Sequence, residues 1–192
     1  RTAQQTEAAQ FWATNGVTQF NNAFRDVAAA KGLGLLDSAR LLAAGNMVGT
    51  DALIACFDSK YTYSFWRPVT AIRMADLDGN DATIADPTWM PLLMTPNHPE
   101  YVAGHACFMS AQAEIFSQIL GTTNIALDLS SDVTNTTRHF ATAADLRTEI
   151  VNARRVPCRT ARRATLRFAC AENELLTGLG QHEDGVYDYR HR

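Results

Sequence analysis

Apolar residues recur at helical spacing along most of the chain. From Thr6 to Ala30, Phe11, Trp12, Phe20, Phe24 and Val27 follow a 3.6-residue repeat, which predicts one amphipathic helix. Gly32 and Gly34 break it. Asp37 and Ser38 are N-cap residue types for a second helix, where Leu41, Leu42, Met47, Val48, Ala52, Ile54 and Ala55 carry the pattern to about Asp58–Lys60. The aromatic stretch Tyr61–Pro68 should be extended or irregular, because Pro68 drives Arg67 out of helical dihedrals. Asp76 to Pro99 reads as a long loop, punctuated by Asp78-Gly79, Asn80, Pro87, Pro91, Pro96 and Pro99. A strong helix begins at Gly104 and runs to about Leu120, and another is expected from Thr142 to Ala153. Gly121 to Thr137 is polar and turn-rich, with no convincing strand alternation. After Arg155 the pattern degrades; a short helix is expected at Ala171–Leu176 and a loosely held tail from Gly178. The expected architecture is all-α, a helical bundle with long loops.

Composition narrows the function classes. A chain of 192 residues with 46% hydrophobic content supports one well-buried domain. The net charge of -3 gives no electrostatic case for nucleic acid. No run of about eighteen apolar residues occurs, so no membrane span is expected. The polar start, RTAQQTEAAQFW, shows no signal peptide, but the chain does not begin with Met, so the compartment stays open. Cys56, Cys107, Cys158 and Cys170 form no C-x-x-C pair, which favours buried or partly buried thiols over a metal site or a disulfide framework. The segment Asp76–Asp81 has part of a calcium-loop pattern without its downstream glutamate, and a solvated turn is expected there.

Two segments suggest chemistry. Lys60-Tyr-Thr-Tyr-Ser-Phe-Trp-Arg67-Pro68 places a point charge at a helix end and a planar fork of donors just beyond it, a pair able to address one tetrahedral anion. His98-Pro-Glu-Tyr-Val-Ala-Gly104-His105 leads into a helix whose first-turn N–H groups and dipole favour an anion. A histidine in that turn can move a proton to or from such a ligand. Taken singly, each segment is better read as an ordinary helix end; the two together change the odds towards an oxyanion site.

The pattern K-x6-R-P, followed after a proline-rich loop by a Gly-His helix start, resembles the vanadium-dependent haloperoxidases and their type 2 acid phosphatase relatives. So do the stretches NMVGTDALIACFDSKYTYSFWRPVTAIR, DPTWMPLL, HPEYVAGHACFMSAQAEIF and ATAADLRTEIVNAR. The resemblance covers about residues 1–154. It implies the helical bundle of vanadium chloroperoxidase and acid phosphatase, with residues 1–192 forming one catalytic domain, the C-terminal part of a longer protein. It further implies that Lys60, Arg67, Gly104 and Arg154 or Arg155 hold vanadate or phosphate oxygens, and that His105 is the general acid and base. His98 falls near where the family places a side chain that tunes halide chemistry. Ala103 stands where the motif has serine, so one hydroxyl donor is absent.

The family's third block should end in a glycine, an aliphatic residue, a histidine and an aromatic-Arg-Phe run. Here Arg154 and Arg155 precede Val-Pro-Cys-Arg-Thr-Ala-Arg-Arg-Ala-Thr-Leu-Arg167-Phe168, and Thr165 occupies the histidine's place. The expected metal ligand, which is the nucleophile in the phosphatases, is therefore missing, and no metal ligand is identified. Six arginines crowd between Arg154 and Arg167. A one-base shift in the codons for residues 156–162 could spell a stretch close to the missing block. The resemblance implies vanadate as cofactor and oxidation of halide by hydrogen peroxide. The alternatives are a phosphomonoesterase using the same pocket, or a phosphate-binding domain without turnover. Small molecules are the expected partners, and a homo-oligomer is compatible with all three.

Overall fold

The computed structural model describes residues 2–155, excepting the side chain of Arg155. The expected helix at 171–176 and the polar tail lie outside them. The described chain is mostly helical. The first surprise is a break in the N-terminal helix. It forms two helices, α1 (Ala3–Phe11) and α2 (Gly16–Ala30). Asn15 causes the second start: its Oδ1 accepts the amides of Val17 at 3.0 Å and Thr18 at 3.1 Å, an N-cap that a continuous helix would exclude. The apolar spacing survived the break, so periodicity alone could not show it.

Helix α3 (Leu35–Tyr63) extends past its expected end and closes on Ser64 in the left-handed region. The aromatic stretch is therefore helical through Tyr63 rather than extended, and irregular only from Ser64 to Arg67. Pro68 then acts as a helix starter at the first position of α4 (Pro68–Arg73), with Arg67 as its extended N-cap. The buried face of α3 also differs from expectation. It consists of Leu41, Gly45, Gly49, Cys56 and Lys60, while Met47 and Ile54 are exposed. Small residues win this face because neighbours come close. A Cβ on Gly45 would lie 2.3 Å from the Phe24 ring, and one on Gly49 2.6 Å from Phe108. By length and composition alone, Leu35–Arg73 could cross a membrane. Most of this stretch is not buried, and α3 packs one face against α2 and α5.

Helix α5 (Gly104–Leu120) is the centre of the bundle, against α3, α2 and the elements that follow. Its buried stripe of Ala106, Phe108, Met109, Gln112, Ala113 and Phe116 meets Phe20 and Phe24 of α2. Phe24 and Phe116 stack at 5.6 Å between centroids. The polar stretch after Gly121 contains an antiparallel hairpin that the sequence reading missed, β1 (Asn124–Ser131) and β2 (Thr136–Thr142). Ile125, Leu127, Leu129 and Ser131 alternate inward along β1. This is a period-two pattern of ordinary strand length, masked by the polar, turn-rich composition around it. Helix α6 (Ala143–Arg155) follows, its first turn capped by reciprocal bonds between Thr142 and Asp145. Arg138 on β2 ties the layers together. It pairs with Glu7 of α1 and Glu149 of α6 and lies 4.7 Å above the Phe11 ring.

The long loop is where it was expected. Asp78 accepts bonds from Asn80 N and Thr83 Oγ1, so the calcium-like segment closes on itself as a turn.

Candidate oxyanion site

Lys60 lies in the last turn of α3 and is 1% exposed, an unusual place for an ammonium. Its Nζ donates to the backbone carbonyls of Pro99 at 2.8 Å and Glu100 at 2.7 Å. Arg67 reaches the same loop from the other side. Its Nε donates to the carbonyl of His98 at 2.7 Å, its Nη2 lies 2.8 Å from His98 Nδ1, and its Nη1 pairs with Glu100 Oε2 at 2.8 Å. The two cations therefore do converge, on the three-residue segment His98–Glu100. Burial pushes the Lys60 ammonium below its usual pKa, and the Arg67 charge adds to this, while Cys56 and Glu100 act against it.

That segment leads into α5. Ala103, the N-cap, supplies no side-chain hydrogen bond to the first turn, so the substitution of the motif serine leaves the helix start uncapped. A Cβ on Gly104 would come no closer than 4.0 Å to Cys56 Sγ and Phe57 Cε2, so no side chain fills the space over this turn tightly. His105 is half-buried. Burial drives its pKa down to about 3, the Arg154 charge lowers it further, and a hydrogen bond to the backbone of Thr14 opposes both. A neutral ring follows, with one nitrogen left to accept a proton.

Arg154, near the end of α6, completes the cationic group. Its Nη2 donates to the carbonyl of Trp12, and its Nε is buried with no partner among the described residues. Burial lowers its pKa to about 10, against the favourable field of Glu100. The break between α1 and α2 matters here. In an unbroken helix the Trp12 carbonyl would accept from the amide four residues on. Released, the Trp12–Thr14 backbone holds Arg154 and His105. Arg155 ends α6, and its side chain is outside the described residues.

His98 stands at the edge of the group, 5.0 Å from the Phe57 ring and bonded to Arg67, with its pKa lowered chiefly by burial. Lys60, Arg67, His98, Gly104, His105 and Arg154 thus share one end of the bundle. Two neighbours were not placed in the site from the sequence. Glu100 pairs with Arg67, and Cys56 lies one helical turn before Lys60. Its thiol is lowered to about 7 by a hydrogen bond with Cys107 and, against burial, by the Lys60 charge. Both thiols are free, Cys56 buried and Cys107 partly buried, as expected. The signal for Glu100 was present in the HPEY run, a carboxylate between two motif histidines. The open polar clefts lined by Gln19, Asn22 and Asp128, and by Thr14, Asn15 and Asp132, do not include Lys60, Arg67, Glu100 or His105.

The donor set fits a tetrahedral oxyanion held by charge and hydrogen bonds. The buried, unpartnered Arg154 Nε is a donor in want of an acceptor. The set offers less to a vanadium–imidazole bond. Beyond His98 and His105, the one further histidine among the described residues is His139, paired with Asp128 on the hairpin at 2.7 Å. Thr165 and the arginine-rich segment lie outside the described residues.

Among curated proteins, none matches the sequence. The fold is similar to a crystal structure of a bacterial vanadium-dependent iodoperoxidase, with a TM-score of 0.69 and 21% identity over 92% of this chain. The chain spans 43% of that protein's length. Residues 40–168, more than half of the chain, match the family model described as the VCPO second helical-bundle domain, and the match runs through the arginine-rich segment to Phe168. The chain therefore belongs to the second helical-bundle domain family of the vanadium chloroperoxidases, within the vanadium haloperoxidase-like superfamily.

Proposed function

We propose that this domain binds a tetrahedral oxyanion, vanadate in the first place, among Lys60, Arg67, Arg154 and the first turn of α5, and supports oxidation of halide by hydrogen peroxide. The observation that carries the reading is the convergence of three buried or half-buried cations at an uncapped helix start, with Arg154 Nε unpartnered. Glu100 offsets only part of this charge, and burying the rest is costly without a further anion.

The residues divide the work. Arg154 offers its free Nε–H, and the amides from Gly104 onward point along the α5 axis toward the same charge. Lys60 and Arg67 supply fixed positive charge, part of whose donor capacity is engaged by the His98–Glu100 loop. Neutral His105 accepts a proton as the ligand arrives, since a bound anion raises the imidazole's pKa. His98, between Arg67 and Phe57, is placed to influence the halide side. Vanadate itself would supply the Lewis acidity that activates peroxide. Arg155 belongs to the same proposal by position alone.

Thr165 at the expected histidine position supports a second reading, oxyanion binding without turnover. One experiment separates these. Halogenation of a phenolic dye with peroxide is measured with and without vanadate, beside release of phosphate from an aryl phosphate. Vanadate-dependent halogenation supports the haloperoxidase reading. Vanadate-inhibited phosphate release supports the phosphomonoesterase. Tight phosphate binding with neither activity supports the binding domain, and folded protein that neither binds nor turns over refutes all three.

A further inference from the structure

Glu100 holds a place in the cationic cluster that the pocket's proposed chemistry leaves unexplained. Its Oε2 pairs with Arg67 Nη1 at 2.8 Å, with the two side chains only 26% and 17% exposed. Its backbone is held at both ends. The amide donates to the Phe65 carbonyl at 3.0 Å, and the carbonyl accepts Lys60 Nζ at 2.7 Å. Its negative charge is felt at Lys60, His98 and Arg154, raising each of them. One carboxylate thus pairs with Arg67 and lies within electrostatic reach of Lys60 and Arg154. Its main chain is clamped, while its partly exposed side chain can swing towards solvent.

From this geometry we infer that Glu100 is an internal anion of the pocket. It holds Arg67 in the absence of ligand and is displaced when a vanadate or phosphate oxyanion binds. The inference rests on the oxyanion reading above and adds the group that sets the pocket's affinity. The mechanism is a competition. Arg67 Nε and Nη2 are engaged by His98 and the Pro99 carbonyl, and Nη1 is engaged by Glu100. An oxyanion that takes the Nη1 edge must share it with the carboxylate or displace it, and two anions at one guanidinium repel, which favours displacement. A multiply charged oxyanion makes that exchange favourable, because it also reaches Arg154 Nε and the α5 amides, which Glu100 leaves free. Glu100 therefore weakens binding of every anion while keeping the cluster from standing uncompensated when empty.

The sign of the effect separates this role from a structural one. An ion pair that merely positions Arg67 would, when broken, loosen the site and weaken binding. A competing anion, when removed, leaves it stronger. The test is calorimetric titration of inorganic phosphate and of orthovanadate into the folded 192-residue wild type, Glu100→Gln and Glu100→Ala at low ionic strength. Each variant is checked first for its helical circular dichroism. Both variants are expected to bind about tenfold tighter than wild type, the equivalent of one weak charge-assisted contact. Wild-type binding with no gain on substitution, or with a loss, overturns the role of Glu100 alone and leaves the pocket standing. Loss of the fold in both variants overturns it as well, because Glu100 is then a structural ion pair. Absence of binding in all three folded proteins sinks the pocket and this inference together.

Discussion

Replacing Lys60 with methionine keeps the length of the side chain and removes its charge and its donors. The structure sets the magnitude. Two charge-assisted bonds, at 2.8 and 2.7 Å, hold the Pro99 and Glu100 carbonyls. Each such bond contributes about 1.5–3 kcal/mol, so the gross loss is about 3–6 kcal/mol. The opposing effect is the relief of a desolvated ammonium at a site 1% exposed, a burial strong enough to lower the Lys60 pKa. That relief recovers part of the loss, and the two abandoned carbonyls keep the sum destabilising. The expected net is about 2–4 kcal/mol, below the cost of breaking a wholly buried ion pair. Urea unfolding followed by far-ultraviolet circular dichroism measures it, with an unchanged m value showing that the compactness of the end states is preserved. Amide exchange should quicken at residues 98–102 beyond the global change. A loss under about 1 kcal/mol with the exchange pattern unaltered would refute the clasp, because two strong bonds cannot vanish that cheaply.

Stability should fall as pH drops below the unfolded-state histidine value of 6.5 toward the folded value of about 3 for His105, because only the unfolded chain takes up that proton. The slope in this window is about 1.4 kcal/mol per pH unit, and His105→Leu should flatten it relative to wild type in parallel urea titrations. An unchanged slope would remove His105 as the cause. Asn15→Ala should cost about 1 kcal/mol through loss of the α2 cap, read by the same unfolding assay. Gly45→Ala should destabilise by about 1–3 kcal/mol in spite of alanine's higher helix propensity, because its methyl meets the buried Phe24 ring; a stabilised variant would contradict the close approach.

The start of α5 at Gly104 was legible because a polar, proline-rich loop meets an apolar run there, and glycine marks the junction. Lys60 and Arg67 were legible as a pair through their spacing and Pro68. What they hold was not. Spacing suggests that two cations point at a ligand, and the structure shows them gripping the chain that carries the next motif. Glu100 escaped notice because an isolated carboxylate has no periodicity, and its meaning depends on Arg67 standing beside it. The break at residues 12–15 escaped because the apolar period continues through it, while the deciding signal was one asparagine side chain. The outward face of α3 shows the limit of periodicity from another side. Met47 and Ile54 are the larger apolar residues, but the close approach of Phe24 and Phe108 selects glycine for the inner face.

Arg154, whose buried Nε has no acceptor among the described residues, tests the oxyanion pocket most directly. Calorimetric titration of orthovanadate into wild type and Arg154→Lys measures it, since lysine keeps the charge and loses the guanidinium fork. Binding to wild type, weakened about tenfold or more in the variant, is the predicted result. Equal affinity in two folded proteins would contradict the oxyanion pocket.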